Sequence, residues 1–130
     1  MSTKLLMTAS GLALGLAGLF ALFAPDILLE ALGASATTSL SIPVQLMGSL
    51  YFSFALVNWT AKDSAVGGIY ARPVSSGNFS HFFVGTLILI KYFLSNSYNL
   101  VVLLIMMAYL LFAVAFYWLV FRATGLPKEK

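Results

Sequence analysis

The chain carries only eleven charged residues, and their positions leave four long stretches with none. The charges stand at Lys4, Asp26, Glu30, Lys62, Asp63, Arg72, Lys91, Arg122, Lys128, Glu129 and Lys130, so residues 5–25, 31–61, 73–90 and 92–121 are uncharged. An ionised side chain is costly in hydrocarbon. A membrane-spanning helix therefore needs a run of roughly 20 mostly apolar residues, enough to cross a core about 30 Å thick. Each interval can hold one. The spacing predicts helices over 5–24, 43–61, 79–95 and 99–121.

The rest of the composition agrees. Charged residues make up 8% of the chain and hydrophobic ones 61%, whereas a soluble domain carries about 25% charge. So few charges cannot cover a surface that faces water. The apolar runs are continuous and lack the two-residue alternation of a membrane β-barrel. Backbone polar groups in lipid must be satisfied within the element, which leaves helices. The expected fold is all-α: a polytopic membrane protein whose four transmembrane helices form an antiparallel bundle, one domain over residues 1–130.

The placement of charge sets an expected orientation. With the N-terminus cytoplasmic, that side holds Lys4, Lys62, Arg72, Arg122, Lys128 and Lys130, six of the seven basic residues. The other side holds Asp26 and Glu30, with Lys91 near the end of the third span. This is the positive-inside pattern, and it places both termini in the cytoplasm. The first apolar run is about twenty residues, longer than the h-region of a signal peptide, and is read as a retained helix.

Within the first span, Thr8, Gly11, Gly15, Gly18 and Leu22 recur at three- and four-residue steps. Gly11 and Gly15 form a small-x-x-x-small pair, which lets helix backbones approach closely. The expected use of Gly11, Gly15 and Gly18 is helix packing, either within the chain or between subunits. Pro25 suits a helix start and Gly33 a helix end, so a short interfacial helix is expected near residues 25–32, with Asp26 and Glu30 on a solvated edge.

The second span places Gln45, Ser49, Ser53 and Thr60 on one face, where they are expected to meet other helices. Asn58 points away from that face, toward headgroups or loop backbone. Asn58-Trp59-Thr60 and Asn78-Phe79-Ser80 match the glycosylation pattern, but membrane burial and a cytoplasmic facing argue against its use. The third span groups His81, Gly85, Ile88, Tyr92 and Ser95, with Lys91 on the flank. Lys91 is about five residues from the expected helix end, within reach of the headgroups by snorkelling. Asn78 is placed as the cap of this helix and His81 in its first turn. Ser95-Asn96-Ser97 reads as a tight turn, Asn99 as the cap of the last span, Met106 and Met107 as packing residues, and Tyr117 and Trp118 as an aromatic belt.

Reactive constellations are sparse. Without cysteine there is no thiolate metal site, disulfide or cysteine nucleophile. His81 is the sole histidine, and no carboxylate accompanies it at helical spacing. Gly67-Gly68 lacks the lysine and hydroxyl residue of a phosphate loop. No catalytic residue, metal site or nucleic-acid partner is expected. Lys62 and Arg72 are candidates for contact with anionic headgroups or a partner protein.

The stretch GLALGLAGLFALFAPDILLEALGA, residues 11–34, resembles small four-helix bacterial membrane proteins of the DoxX-like type. These open with a Gly-rich helix that ends in a Pro-acidic pair and a Leu-Gly stop. Some are linked to quinone-dependent oxidoreductase complexes, so the resemblance implies a place in the bacterial inner membrane and an association with redox assemblies. The expected function is a structural or accessory membrane subunit without intrinsic catalysis. It would self-associate as an oligomer or pack on a larger complex through the glycine face, with a bound lipid or quinone. The competing expectation is a small oligomeric transporter or channel, its polar path lined by Gln45, Ser49, Ser53, His81, Tyr92 and Lys91.

Overall fold

The computed structural model describes residues 3–63, 72–95 and 99–122. They form five helices: α1 (Thr3–Phe23), α2 (Pro25–Ala31), α3 (Thr38–Ala61), α4 (Arg72–Ser95) and α5 (Leu100–Arg122). Four of these, all but α2, are long and apolar enough to cross a membrane. The 21 residues of α1 span about 31 Å at 1.5 Å per residue, and the 24 of α3 about 36 Å. The chain divides into two compact units, Met1–Asp63 and Ser64–Lys130.

In the first unit, α1 packs along α3 with α2 against both. The partners run in opposite order: Gly11 faces Ala55, Asn58 and Trp59, while Gly18 faces Gly48, Tyr51 and Phe52. The two helices are therefore antiparallel. The buried face of α1 comprises Leu6, Met7, Ser10, Gly11, Leu14, Gly18 and Ala21, the three- and four-residue recurrence of one helical stripe. Across it stand Gly48, Ala55 and Asn58 of α3. Small residues on both sides let the backbones meet.

The corner between α1 and α3 follows local chemistry. Pro25 takes the first position of α2, where its missing N–H costs nothing. Gly33 ends it at φ +82°. The Gly33 N–H donates to the Glu30 carbonyl and the Ala34 N–H to the Leu29 carbonyl, each at 2.9 Å, the paired bonds of a Schellman cap.

The second unit is the pair α4 and α5, again antiparallel. Phe79 meets Tyr117 and Phe121, while Phe82 meets Phe116, Phe112 and Tyr109. The seam is aromatic where the first unit's is glycine. Phe82 stacks with the rings of Phe112, at 4.8 Å, and Phe116, at 5.8 Å. Phe82 and Phe116 are among the most enclosed side chains in the protein. Asn99 caps α5: its side-chain oxygen accepts from the Val101 N–H at 2.9 Å and the Val102 N–H at 3.3 Å.

Two helix starts differ from the sequence reading. α3 begins at Thr38 rather than 43, with Pro43 inside it. Pro43 stands in the second turn, so the one bond it removes would have ended on the carbonyl of Ser39, which is exposed. α4 begins at Arg72 rather than 79, with Pro73 in its first turn. Asn78 is therefore not a cap. It lies in the helix interior, fully buried, with its amide donating to the Val74 carbonyl at 2.9 Å. His81 likewise sits in the third turn rather than the first. Residues 96–98, 64–71 and 123–130 fall outside the described residues, and with them most of the expected Ser95–Ser97 turn, Gly67-Gly68, Lys128 and Lys130.

Candidate functional site

Among the described residues, the interior of the first unit holds a buried polar pair. Asn58 donates its side-chain amide to the Ser10 hydroxyl at 3.0 Å, and Ser10 in turn donates to the Met7 carbonyl at 3.2 Å. Both side chains have no solvent exposure. A buried amide without partners costs roughly 1–3 kcal/mol, so the pair fixes which faces of α1 and α3 meet. Asn58 thus points into the α1 seam, not toward headgroups or a loop. Asn58 and Asn78, the two candidate glycosylation asparagines, are both fully enclosed within helices.

The residues expected to form a polar face behave differently. Ser49, Ser53 and Thr60 are exposed, and each donates its hydroxyl to a carbonyl of its own helix: Leu46 at 2.7 Å, Ser49 at 2.9 Å and Leu56 at 2.9 Å. Within the first unit they do not meet another helix through this face. Gln45 reaches back from α3 to donate to the Leu22 carbonyl at 3.2 Å, bracing the end of α1. Near it the Ser41 hydroxyl donates to the Asp26 carboxylate at 2.6 Å and ties α2 to α3. These groups border an open cleft lined by Pro25, Asp26, Ala36, Thr37, Thr38, Ser41 and Gln45.

The other end of the same helix pair is charged. Lys4 and Asp63 form an ion pair at 2.6 Å, both well exposed. The Lys4 ammonium bonded to Asp63 holds its carboxyl below the usual carboxylate value, with Lys62 adding a smaller pull in the same direction. Lys62 itself lies over the Trp59 ring, 3.1 Å from its centroid, a cation–π contact of about 0.5–1 kcal/mol at an exposed position.

In the second unit, His81 and Tyr109 share a hydrogen bond at 3.2 Å between Nε2 and the phenol oxygen. Tyr109 can lie there because position 85 is glycine. A Cβ at Gly85 would overlap the Tyr109 ring, meeting Cδ1 at 2.6 Å and Cε1 closer still. Phe82 flanks both rings, at 5.1 Å from His81 and 5.3 Å from Tyr109. Lys91, Tyr92 and Arg72 are exposed on α4, with Lys91 in its last five residues.

Of the expected glycine face, Gly11 and Gly18 are buried and Gly15 is partly so, all against α3 of the same chain. Gly18 and Gly48 are reciprocal: a Cβ on either would come within 2.8 Å of the other's carbonyl oxygen. The candidate polar-path residues divide between the units, with Gln45, Ser49 and Ser53 in the first and His81, Lys91 and Tyr92 in the second. Sequence reading missed Ser10, Gly48 and Tyr109. The available signal was pairwise: Gly48 opposite Gly18, and an aromatic hydroxyl on α5 opposite the lone histidine.

Among the described residues no group of three histidine or acidic side chains gathers to hold a metal. Searches against protein-family models, curated proteins and solved structures return no match to this chain.

Proposed function

We propose that this chain is a small structural or accessory subunit of the bacterial inner membrane, with both termini cytoplasmic. It self-associates or packs on a larger membrane complex, with a bound lipid or quinone as a further component. The observation that carries the reading is where the apolar surface lies. Leu16, Leu50, Ile88, Leu94, Leu104 and Leu111 are each more than 60% exposed, and they come from all four long helices. Such a surface is stable only against lipid or another apolar protein face.

Polar side chains within each helix pair bond to one another or to backbone, as Asn58 does to Ser10 and His81 to Tyr109. That is the economy of a packing element. The glycine face is occupied by α3, so association uses the outward leucine and phenylalanine surface instead. Charge placement supports the orientation. Lys4, Lys62 and Asp63 gather at one end of the first unit, with Asp26 at the other. Arg72 opens α4 at the end where α5 closes with Arg122. The resemblance of residues 11–34 to DoxX-like proteins implies the same kind of membrane role.

The test is extraction in a mild detergent followed by affinity purification of the full chain. Co-elution of a defined membrane partner, or migration as an oligomer, supports the reading. A lone monomer with neither partner nor retained lipid contradicts it.

A further inference from the structure

Among the described residues, neither the Glu30 nor the Lys91 side chain makes a hydrogen bond or ion pair within its own unit. Asp26, by contrast, takes the Ser41 hydroxyl, and Lys4 pairs with Asp63. Glu30 and Lys91 are both exposed. α2, which carries Glu30, follows α1 directly, and Lys91 stands four residues before the end of α4, about 6 Å along the helix. α1, α3 and α4 are each long and apolar enough to cross a membrane. When each crosses once, the ends of α1 and α4 emerge on the same side. Glu30 and Lys91 then lie near one headgroup layer, an acid and a base on the same face of the bilayer.

Each charge is set among outward apolar side chains. Beside Lys91 on α4, Ile88 is 63% exposed and Leu94 79%. One turn before Glu30 on α2, Ile27 is 59% exposed, and Phe23 at the end of α1 is 84% exposed. An ionised side chain within a spanning segment is costly and calls for a partner of opposite charge. The acid patch has the complementary form: one unengaged carboxylate beside exposed apolar side chains. Every copy of the chain carries both patches, so charge complementarity selects a second copy as the occupant.

We propose that a second copy of this chain docks on these patches, with Lys91 of one copy on Glu30 of the other and the flanking apolar side chains in contact. The proposal rests on the reading of the chain as a self-associating membrane protein and names the surface it uses. The two patches differ, so the contact is heterologous; repeated, it closes a ring or extends a row. An ion pair at an exposed position is modest, so reversing one charge should weaken the association by about fivefold.

Light and heavy-isotope copies of the full chain are mixed in detergent, reconstituted together into liposomes and treated with a carbodiimide. The reagent joins a lysine amine to a carboxylate in contact with it, with loss of water, and the linked peptides are read by mass spectrometry. The Lys4–Asp63 pair, at 2.6 Å within one chain, is the internal control and should give only light–light and heavy–heavy links. The Glu30–Lys91 link should include light–heavy pairs. Lys91→Glu and Glu30→Lys should each weaken association about fivefold, measured by energy transfer between labelled copies, and the doubly reversed chain should recover it. Glu30–Lys91 links that are never mixed would overturn the second-copy assignment in favour of a pair within one chain. Oligomers that form without this link and that neither reversal weakens, as when lipid phosphate holds Lys91, would overturn the surface while leaving self-association intact. Copies that stay monomeric at every protein density would overturn the surface and self-association together.

Discussion

The side-chain amide of Asn58 on α3 donates to the hydroxyl of Ser10 on α1 at 3.0 Å, and neither residue is exposed. This bond lies in a seam otherwise made of glycines and apolar side chains, among them Met7, Leu14 and Ala55. Interhelical hydrogen bonds in membrane proteins average about 0.6 kcal/mol and reach about 1.7. Ser10→Ala should destabilise the protein by about 1 kcal/mol. Asn58→Leu should cost more, because it also forces a branched side chain into a close seam. A double-mutant cycle, read by denaturant titration in detergent, should give a positive coupling. Strict additivity would show that the bond contributes nothing to the pairing.

The three glycines of α1 should rank by what a methyl group meets. At Gly18 a Cβ would stand 2.8 Å from both the Gly48 oxygen and the Phe52 nitrogen, which are backbone atoms that cannot move alone. Overpacking of this kind costs about 1–3 kcal/mol. At Gly11 the nearest atom is the Ala55 oxygen at 3.3 Å, and at Gly15 the Ala55 Cβ at 3.4 Å, an ordinary contact. Alanine substitution should therefore hurt most at 18, less at 11 and least at 15, measured as loss of thermal stability. An equal response at all three would mean that α1 and α3 do not approach as closely as described.

Gly85→Ala should act through Tyr109. The new methyl would overlap the ring, and moving the ring would break the 3.2 Å bond to His81 and the packing on Phe82. A loss of about 1–3 kcal/mol is expected. The same substitution in a Tyr109→Leu background should cost far less, because the ring is gone. Tyr109→Phe alone keeps the packing and removes only the hydrogen bond, for about 0.6 kcal/mol. A Gly85→Ala penalty that persists undiminished in Tyr109→Leu would contradict the contact.

The four long helices were legible because charge exclusion from lipid is a one-dimensional signal: the intervals between Lys4, Asp26, Lys62, Arg72 and Arg122 can be counted. Pro25 and Gly33 were legible because each satisfies a local backbone rule. Pro43 and Asn78 misled for a related reason. Each carries a local preference for a helix start, and both lie within helices that continue upstream. Packing decided the matter at α4, where Ser75 and Asn78 are buried despite poor helix propensity. The serine face of α3 is a different case. Its hydroxyls could bond either to a neighbour or to their own helix, and periodicity does not distinguish the two. Tyr109 was invisible to any reading of single segments, because its role depends on Gly85 and His81 across a helix pair.

The Lys4–Asp63 pair should make stability weakly pH-dependent. Its ammonium partner lowers the Asp63 pKa in the folded state. The stabilisation is therefore complete above the ordinary carboxylate pKa and is lost as pH falls through the lowered folded value. The wild type should be slightly more stable than Asp63→Asn at pH 7, and the two should converge under strong acid. Both side chains are exposed, so the difference should shrink in high salt. An advantage that grows as the pH falls would have the wrong sign.

Membrane integration by spanning helices is tested most directly by side-specific thiol labelling, since the native chain has no cysteine. Single cysteines are introduced at Ser35, beyond α1, at Asp63, beyond α3, and at Leu50 within α3, and are probed with a membrane-impermeant reagent in intact and permeabilised spheroplasts. Ser35→Cys should label in intact cells, Asp63→Cys only after permeabilisation, and Leu50→Cys in neither case. Labelling of Ser35→Cys and Asp63→Cys from the same side, with Leu50→Cys reactive, would contradict a membrane-spanning α3.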